Sequence, residues 1–78
     1  MKPLKLYSVV KVIKLIRGIE AYNGWKLNRK NPEVGETGTV VEIIHAKNLP
    51  DCYVVEKVDS DGATIWLADF GEEELETI

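Results

Sequence analysis

Residues 53–70, YVVEKVDSDGATIWLADF, contain two strand-like runs joined by a turn, and they decide how the rest of the chain is interpreted. Runs 53–58 and 64–70 are rich in β-branched and aromatic residues, which favour strands. The tetrapeptide DSDG at 59–62 lies between them, and its Asp-Gly pair supplies the positive φ that a tight antiparallel turn requires. This pattern predicts a β-hairpin.

The preceding stretch, VGETGTVVEII at 34–44, carries two glycines, Gly35 and Gly38. A phosphate-binding loop would lead its glycines into a helix N-terminus, commonly with a Gly-Lys-Ser or Gly-Lys-Thr motif. Here a β-branched run over 39–44 follows instead, so we predict a strand, with the glycines forming the bend that leads into it. Residues 47–51, KNLPD, are predicted to form the next turn.

Residues 4–16, LKLYSVVKVIKLI, allow two interpretations. Val9, Val12, Ile13 and Ile16 follow the helical spacing, yet β-branched side chains lose freedom in a helix and pack well on a pleated surface. No capping residue followed by a first-turn acid precedes the run. We therefore predict a strand over about 6–13.

The two remaining segments are a long connection at 17–34 and the C-terminal end of the chain. The connection contains apolar residues, which predict an ordered excursion that packs on the domain or serves as a functional loop. Gly71 is expected to end the last hairpin strand. Residues 72–76 are then expected to form a short helical or 3-10 turn with Leu75 as its apolar anchor.

A chain of 78 residues is large enough for one core, so we predict a single domain, 1–78. Four to five short antiparallel strands at this spacing indicate a mainly β fold, a small barrel or sandwich. No apolar run approaches the roughly 20 residues of a membrane span. The basic N-terminus lacks a small-residue cleavage site, and one cysteine permits no internal disulfide, so we expect a cytoplasmic protein.

Charge is distributed unevenly along the chain, although the net charge is only −3. Residues 1–31 hold eight basic residues and one acidic residue, whereas residues 32–78 hold two basic and twelve acidic residues. A basic front and an acidic back can form a nucleic-acid-binding patch, or they can neutralise each other when two halves of one barrel pair.

The order of strand, long loop, glycine-led strand, Asp-Gly hairpin and closing turn resembles the small bacterial family catalogued as domain of unknown function 4926. The matching residues cover nearly the whole chain: Leu6-Tyr7, Val9-Val10, Val34-Gly35, Gly38 to Glu42, Tyr53, Val55, Glu56, Val58-Asp59, Asp61-Gly62, Thr64 and Glu74-Leu75. The resemblance implies an SH3-like barrel and small proteins that accompany other gene products, including toxin and immunity neighbourhoods. It implies no enzyme. This chain departs from the family in its longer 17–34 loop, in Lys57 and in Trp66.

Residues that could carry chemistry are few. His45 and Cys52 are the only histidine and cysteine, too few for a closed zinc site, and Ser8 and Ser60 show no partner for nucleophile activation. The carboxylates at 59, 61 and 72–74 match no calcium loop and indicate a solvated acidic rim. We therefore expect no enzyme activity, metal or cofactor.

Strand 64–70 is apolar on both of its faces. The barrel interior is assigned to one set of residues, Ile65, Leu67, Val41, Ile43, Tyr53 and Val55. The opposite face, with Trp66 and Phe70, must then be covered by the long loop through Tyr22, Trp25 and Leu27, or by another molecule.

Tryptophan and tyrosine often anchor protein interfaces. The first hypothesis is therefore a non-catalytic interaction module, accessory or immunity-type, that binds a protein or itself. Its candidate residues are Tyr22, Trp25, Trp66 and Phe70, and its acidic half would steer a basic partner.

The alternative is nucleic-acid binding through the basic front. Lys26, Arg29 and Lys30 would contact phosphates, and Tyr22 or Trp25 would stack on bases.

Overall fold

Five antiparallel strands form a single sheet in the computed structural model, which describes residues 4–26 and 28–78. The strands are β1 (Val9–Val12), β2 (Thr37–Ile44), β3 (Cys52–Val58), β4 (Thr64–Phe70) and β5 (Leu75–Thr77). Two 3-10 helices complete the described elements, η1 (Ile19–Tyr22) and η2 (Glu72–Glu74). The strand order is β4-β3-β2-β1-β5. The predicted mainly β fold is confirmed.

The β3–β4 hairpin forms at the predicted residues. Asp59 N–H donates to the Ala63 carbonyl at 2.9 Å, and Gly62 has a φ of 83°. The Asp59 side chain also accepts the N–H groups of Asp61 and Ala63 at 2.9 and 3.0 Å. An aspartate that bonds its own following backbone stabilises a turn locally, which is why this element can be predicted from sequence.

Gly35 and Gly38 have different structural roles. Gly35 has a φ of 97°, so it provides the predicted bend. Gly38 lies inside β2 opposite Val10, and a Cβ there would stand 2.7 Å from Val55 Cγ1. Gly38 is therefore needed because neighbouring strands approach closely. The predicted strand over 39–44 is confirmed, but it begins at Thr37, so the expectation that Gly38 belongs to the bend is wrong.

Strand β1 is shorter than the predicted 6–13. Tyr7 has a left-handed φ of 68° and donates its N–H to the Val40 carbonyl, so regular pairing begins only after it. Within β1, Val10 and Val12 are buried while Val9 is exposed, which is the alternation of a strand and not the helical spacing. The predicted strand is therefore confirmed over Val9–Val12, and the helical interpretation of this segment is wrong.

The predicted interior is wrong for β4. Trp66, Ala68 and Phe70 are fully buried in the core, whereas Ile65 and Leu67 are half-buried on the opposite face. Two large aromatic rings bury more apolar area than isoleucine and leucine do, so the face that carries them turns inward.

The predicted interior is also corrected in β2. Val40 is fully buried and Val41 is not, because the register with β3 shifts between Val40 and Glu42. The predicted inward positions of Tyr53 and Val55 are confirmed.

The connection between β1 and β2 packs on this core, as predicted. Tyr22 in η1 is 1% exposed, and its ring centroid lies 5.4 Å from that of Phe70. Trp66 makes an edge contact with Phe70 at 5.8 Å and donates its indole N–H to Glu36 at 3.2 Å. Leu27, also predicted to cover this strand, lies outside the described residues.

Candidate functional site

Glu74 is a carboxylate buried at the corner where η2 meets the segment after β1. It is 1% exposed, yet it accepts the Gly71 N–H at 2.8 Å, the Ile16 N–H at 3.2 Å and the Tyr22 hydroxyl. A buried carboxylate without such donors would be strongly destabilising. These bonds therefore hold three separate chain segments in one arrangement.

Arg17 extends this network towards the surface. Its guanidinium lies 3.8 Å from Glu74 Oε1 and 4.8 Å from the centre of the Tyr22 ring, and it donates to the Asp69 carbonyl. The backbone N–H of Arg17 also donates to the Tyr22 hydroxyl at 3.1 Å. The positive charge of Arg17 is thus held by groups of its own chain.

A cleft of about 390 Å³ opens beside this corner. We call it the η2 cleft. Its apolar lining residues are Ile16, Pro50, Cys52 and the buried Phe70, and its charged lining residues are Asp51, Glu73 and the paired Arg17 and Glu74. Ile16 is 55% exposed. A second groove of about 250 Å³ continues on the other side of η2, lined by Ile13, Leu75, Glu72 and again Glu73. The corner is therefore a mostly apolar depression with an acidic rim.

The thiol of Cys52 lies half-buried in the η2 cleft. Burial and the nearby charge of Asp69 raise the pKa of this thiol, although Arg17 opposes them. A thiol is a strong nucleophile only as a thiolate, so this shift in pKa disfavours the reactive form of Cys52. Its role in the cleft is that of a small, apolar surface.

The four aromatic residues predicted to bind a partner do not form one exposed surface. Tyr22, Trp66 and Phe70 lie in the core at 1%, 0% and 0% exposure, so a partner cannot touch them in this fold, and that expectation is corrected. These rings are large, so burying them in the core of the chain stabilises the fold more than leaving them exposed for a partner would. Trp25 remains 41% exposed and donates its indole N–H to Asp69 at 2.7 Å.

The basic residues of the nucleic-acid hypothesis are mostly paired within the chain. Arg29 contacts Asp59 at 2.8 Å and donates to the Thr64 carbonyl at 3.1 Å. Lys30 Nζ lies 3.0 Å from Oε1 of both Glu33 and Glu36. Lys26 is exposed and has a φ of 57°. With Arg17 and Glu74, these ion pairs join basic residues of 1–31 to acids of the later part, which favours mutual neutralisation.

The remaining candidates for chemistry lie apart from one another. His45 is exposed, and its Nδ1 lies 2.8 Å from Asp51 Oδ1. Across residues 4–26 and 28–78, no three potential metal-binding side chains come together.

Sequence reasoning missed the η2 corner. Within the run EEELE it marked Leu75 as the inward residue, and Leu75 is indeed buried, but Glu74 is buried beside it. A Gly71 followed three residues later by a glutamate was the available signal, because this spacing lets the Glu74 side chain accept the Gly71 N–H.

Comparison with protein-family models, with curated proteins and with solved structures found no match to this chain. In the described part of the chain, neither 3-10 helix approaches the length and apolarity of a membrane-crossing helix.

Proposed function

We propose that this chain is a non-catalytic protein-interaction module whose η2 cleft binds a basic segment of a protein through one or two apolar side chains. We also infer that its sheet is an SH3-like barrel. Support for the barrel comes from the meander β1 to β4, the 3-10 turn that follows it, and β5 returning to pair with β1.

The observation that carries the proposal is the composition of the η2 cleft. Its accessible apolar lining comes from Ile16, Pro50 and Cys52, and Asp51 and Glu73 line it together with Arg17, whose charge is paired with Glu74. An apolar floor favours burial of a side chain, and the acidic rim favours a partner that carries lysine or arginine. The net charge of −3 would also favour the encounter with such a partner.

The size of the cleft sets the strength of binding that we expect. A cleft of about 390 Å³ accommodates one or two large side chains. Each fully buried apolar side chain contributes about 1.5–3 kcal/mol. Binding through the cleft alone should therefore be weak and reversible, as in transient protein contacts.

The test is a selection of peptides from a random-sequence display library on the immobilised chain, followed by affinity measurement on the selected peptides by fluorescence anisotropy. We expect the selected peptides to combine lysine or arginine with a large apolar residue. Ile16→Asp should weaken their binding about tenfold or more, because it places a charge on the apolar floor.

The matched control is Val34→Asp, which introduces the same charge at an exposed valine outside the cleft lining. It should change affinity by less than about threefold, as exposed substitutions usually do. Selection of acidic peptides, or equal effects of the two substitutions, would contradict the proposal.

Two further expectations belong to this proposal. The resemblance to domain of unknown function 4926 supports an accessory or immunity-type role in the bacterial cytoplasm. Nucleic-acid binding through Lys26, Arg29 and Lys30 stays the alternative prediction. Titration of labelled RNA and DNA at low salt tests it, and salt-sensitive binding that is lost on substitution of Lys26 would favour it.

A further inference from the structure

The edge strands of the sheet are β4 and β5, and the connection between β1 and β2 covers the β4 edge. At β4 the Ile65 carbonyl accepts the Arg29 N–H at 2.8 Å, and the Leu67 N–H donates to Asn28 Oδ1 at 2.8 Å. The Asp69 carbonyl accepts the guanidinium of Arg17. An edge strand whose backbone groups are occupied in this way is protected against pairing with another chain.

The other edge, β5, has a different arrangement. Ile13 donates to the Glu74 carbonyl and Ile78 to the Val9 carbonyl, which makes Lys11 and Glu76 the hydrogen-bonded pair between them. The main-chain groups of Leu75 and Thr77 therefore point away from β1.

Leu75 uses its N–H to end η2 on the Glu72 carbonyl. Its carbonyl, and both main-chain groups of Thr77, accept or donate no hydrogen bond from any other segment of 4–26 or 28–78. These three groups form the pattern that an added strand can pair with.

We propose that a basic, extended segment of a partner protein adds to β5 as a sixth strand. This inference rests on the proposed function and specifies how the partner binds. The added strand would place a lysine or arginine opposite Glu76, and its neighbouring residues, which point to the other face, would be apolar. The groove at Ile13 and Leu75 lies beside this strand and shares Glu73 with the η2 cleft.

Charge selects this occupant over a second copy of the chain. Glu72, Glu73 and Glu76 are all exposed around the edge. Antiparallel pairing of β5 with the β5 of a second copy would bring these acids together, and like charges on neighbouring strands are destabilising. Pairing of β5 with the β4 edge of another copy would require displacing Asn28 and Arg29. A basic partner strand meets neither obstacle.

The experiment uses a defined probe, the peptide acetyl-KVKVKVK-amide, with amide hydrogen exchange and chemical shifts of the labelled chain as readouts. We expect the Thr77 amide to become protected when the peptide binds. The control peptide has the same sequence and charge but carries N-methyl groups on its valines. With a lysine opposite Glu76, the valine N–H groups are the ones that face β5. Their loss should weaken binding about tenfold. Glu76→Lys should weaken binding roughly three- to tenfold, whereas the control Glu42→Lys, also exposed but on β2, should change it little.

The remaining outcomes are distinguishable. Equal binding of the two peptides with an unprotected Thr77 amide overturns strand addition. If Ile16→Asp still abolishes peptide binding in that case, the proposed function of the η2 cleft stands without strand addition. Absence of binding by KVKVKVK at millimolar concentration also overturns strand addition, and the display selection then decides the proposed function separately. Thr77 protection that grows with protein concentration, without peptide, would overturn the proposal in favour of self-association.

Discussion

The Tyr22 hydroxyl bridges a buried carboxylate and a backbone N–H group. It donates to the buried Glu74 carboxylate and accepts the Arg17 N–H at 3.1 Å. The tyrosine ring meanwhile packs on Phe70 in the core. One side chain thus serves both the apolar core and the buried carboxylate, so its oxygen can be tested separately from its ring.

We predict that Tyr22→Phe keeps the fold and lowers the free energy of unfolding by about 1–3 kcal/mol, because the buried Glu74 carboxylate loses one of its donors and the Arg17 backbone N–H loses its acceptor. Urea unfolding followed by tryptophan fluorescence measures this change. The control is Tyr7→Phe, which removes a hydroxyl from a side chain that is 74% exposed and should change stability by about 0.5 kcal/mol or less. Equal effects of the two substitutions would show that the Tyr22 hydroxyl contributes nothing to stability.

At the scale of elements, the packing of β1, β2 and β3 depends on the absence of one side chain. Gly38 in β2 lies opposite Val10 in β1, and a Cβ at this position would stand 2.8 Å from the Glu56 carbonyl oxygen of β3. Backbone cannot move aside as a flexible side chain can. The strands must therefore separate if residue 38 is larger.

We predict that Gly38→Ala destabilises the chain by about 1–3 kcal/mol through this overpacking. The matched control is Gly24→Ala in the long connection, where a Cβ would meet no atom within 4 Å among the described residues. That substitution should be neutral or slightly stabilising, since alanine restricts the unfolded chain. Thermal unfolding compares the two, and a Gly38→Ala variant as stable as Gly24→Ala would contradict the close approach seen here.

At the scale of the whole molecule, ion pairs hold the basic front of the chain against its acidic back. Backbone N–H groups of Ala63 and Asp61 and the guanidinium of Arg29 lower the pKa of Asp59. Partial burial acts to raise the pKa of Glu36, but hydrogen bonds from Lys30, Glu33 N–H and Trp66 outweigh it, and the pKa is lowered. Both carboxylates therefore favour the folded chain when ionised.

A carboxyl group whose pKa is lower in the folded chain stabilises the fold at pH above its unfolded value, and this contribution is lost as the pH falls through the folded value. The ordinary values are 4.5 for Glu36 and 3.8 for Asp59. We thus predict a melting temperature that these two groups leave unchanged near neutral pH and that declines as the pH falls below about 4.5.

Thermal unfolding from pH 7 to pH 3 measures this decline. Glu36→Gln should lower the melting temperature at pH 7 and flatten the decline, because the variant has already lost the ionised group. Glu42→Gln on the exposed side of β2 serves as the control and should follow the original chain. A Glu36→Gln variant whose melting temperature falls as steeply with decreasing pH as that of the original chain would refute this prediction.

Much of the fold could be predicted from local chemistry. The β3–β4 hairpin, the strand after Gly35 and the β character of 9–12 all follow from alternation, β-branched side chains and an Asp-Gly turn, which act within a few residues of one another. Less of the candidate site could be predicted. Asp51, Glu73 and Ile16 come from three distant segments, and no local pattern in the chain indicates that they share a cleft.

The sequence alone was sufficient for the mainly β class and for the order and approximate positions of β1 to β4, because these depend on backbone preferences that neighbouring residues express. Long-range packing decided which face of β4 is the core, that Glu74 is buried, and that Leu75–Thr77 pairs with β1. A strand that is apolar on both sides has no local preference for either face. The choice is made by the larger apolar area that Trp66 and Phe70 bury once Tyr22 and the other strands are in place.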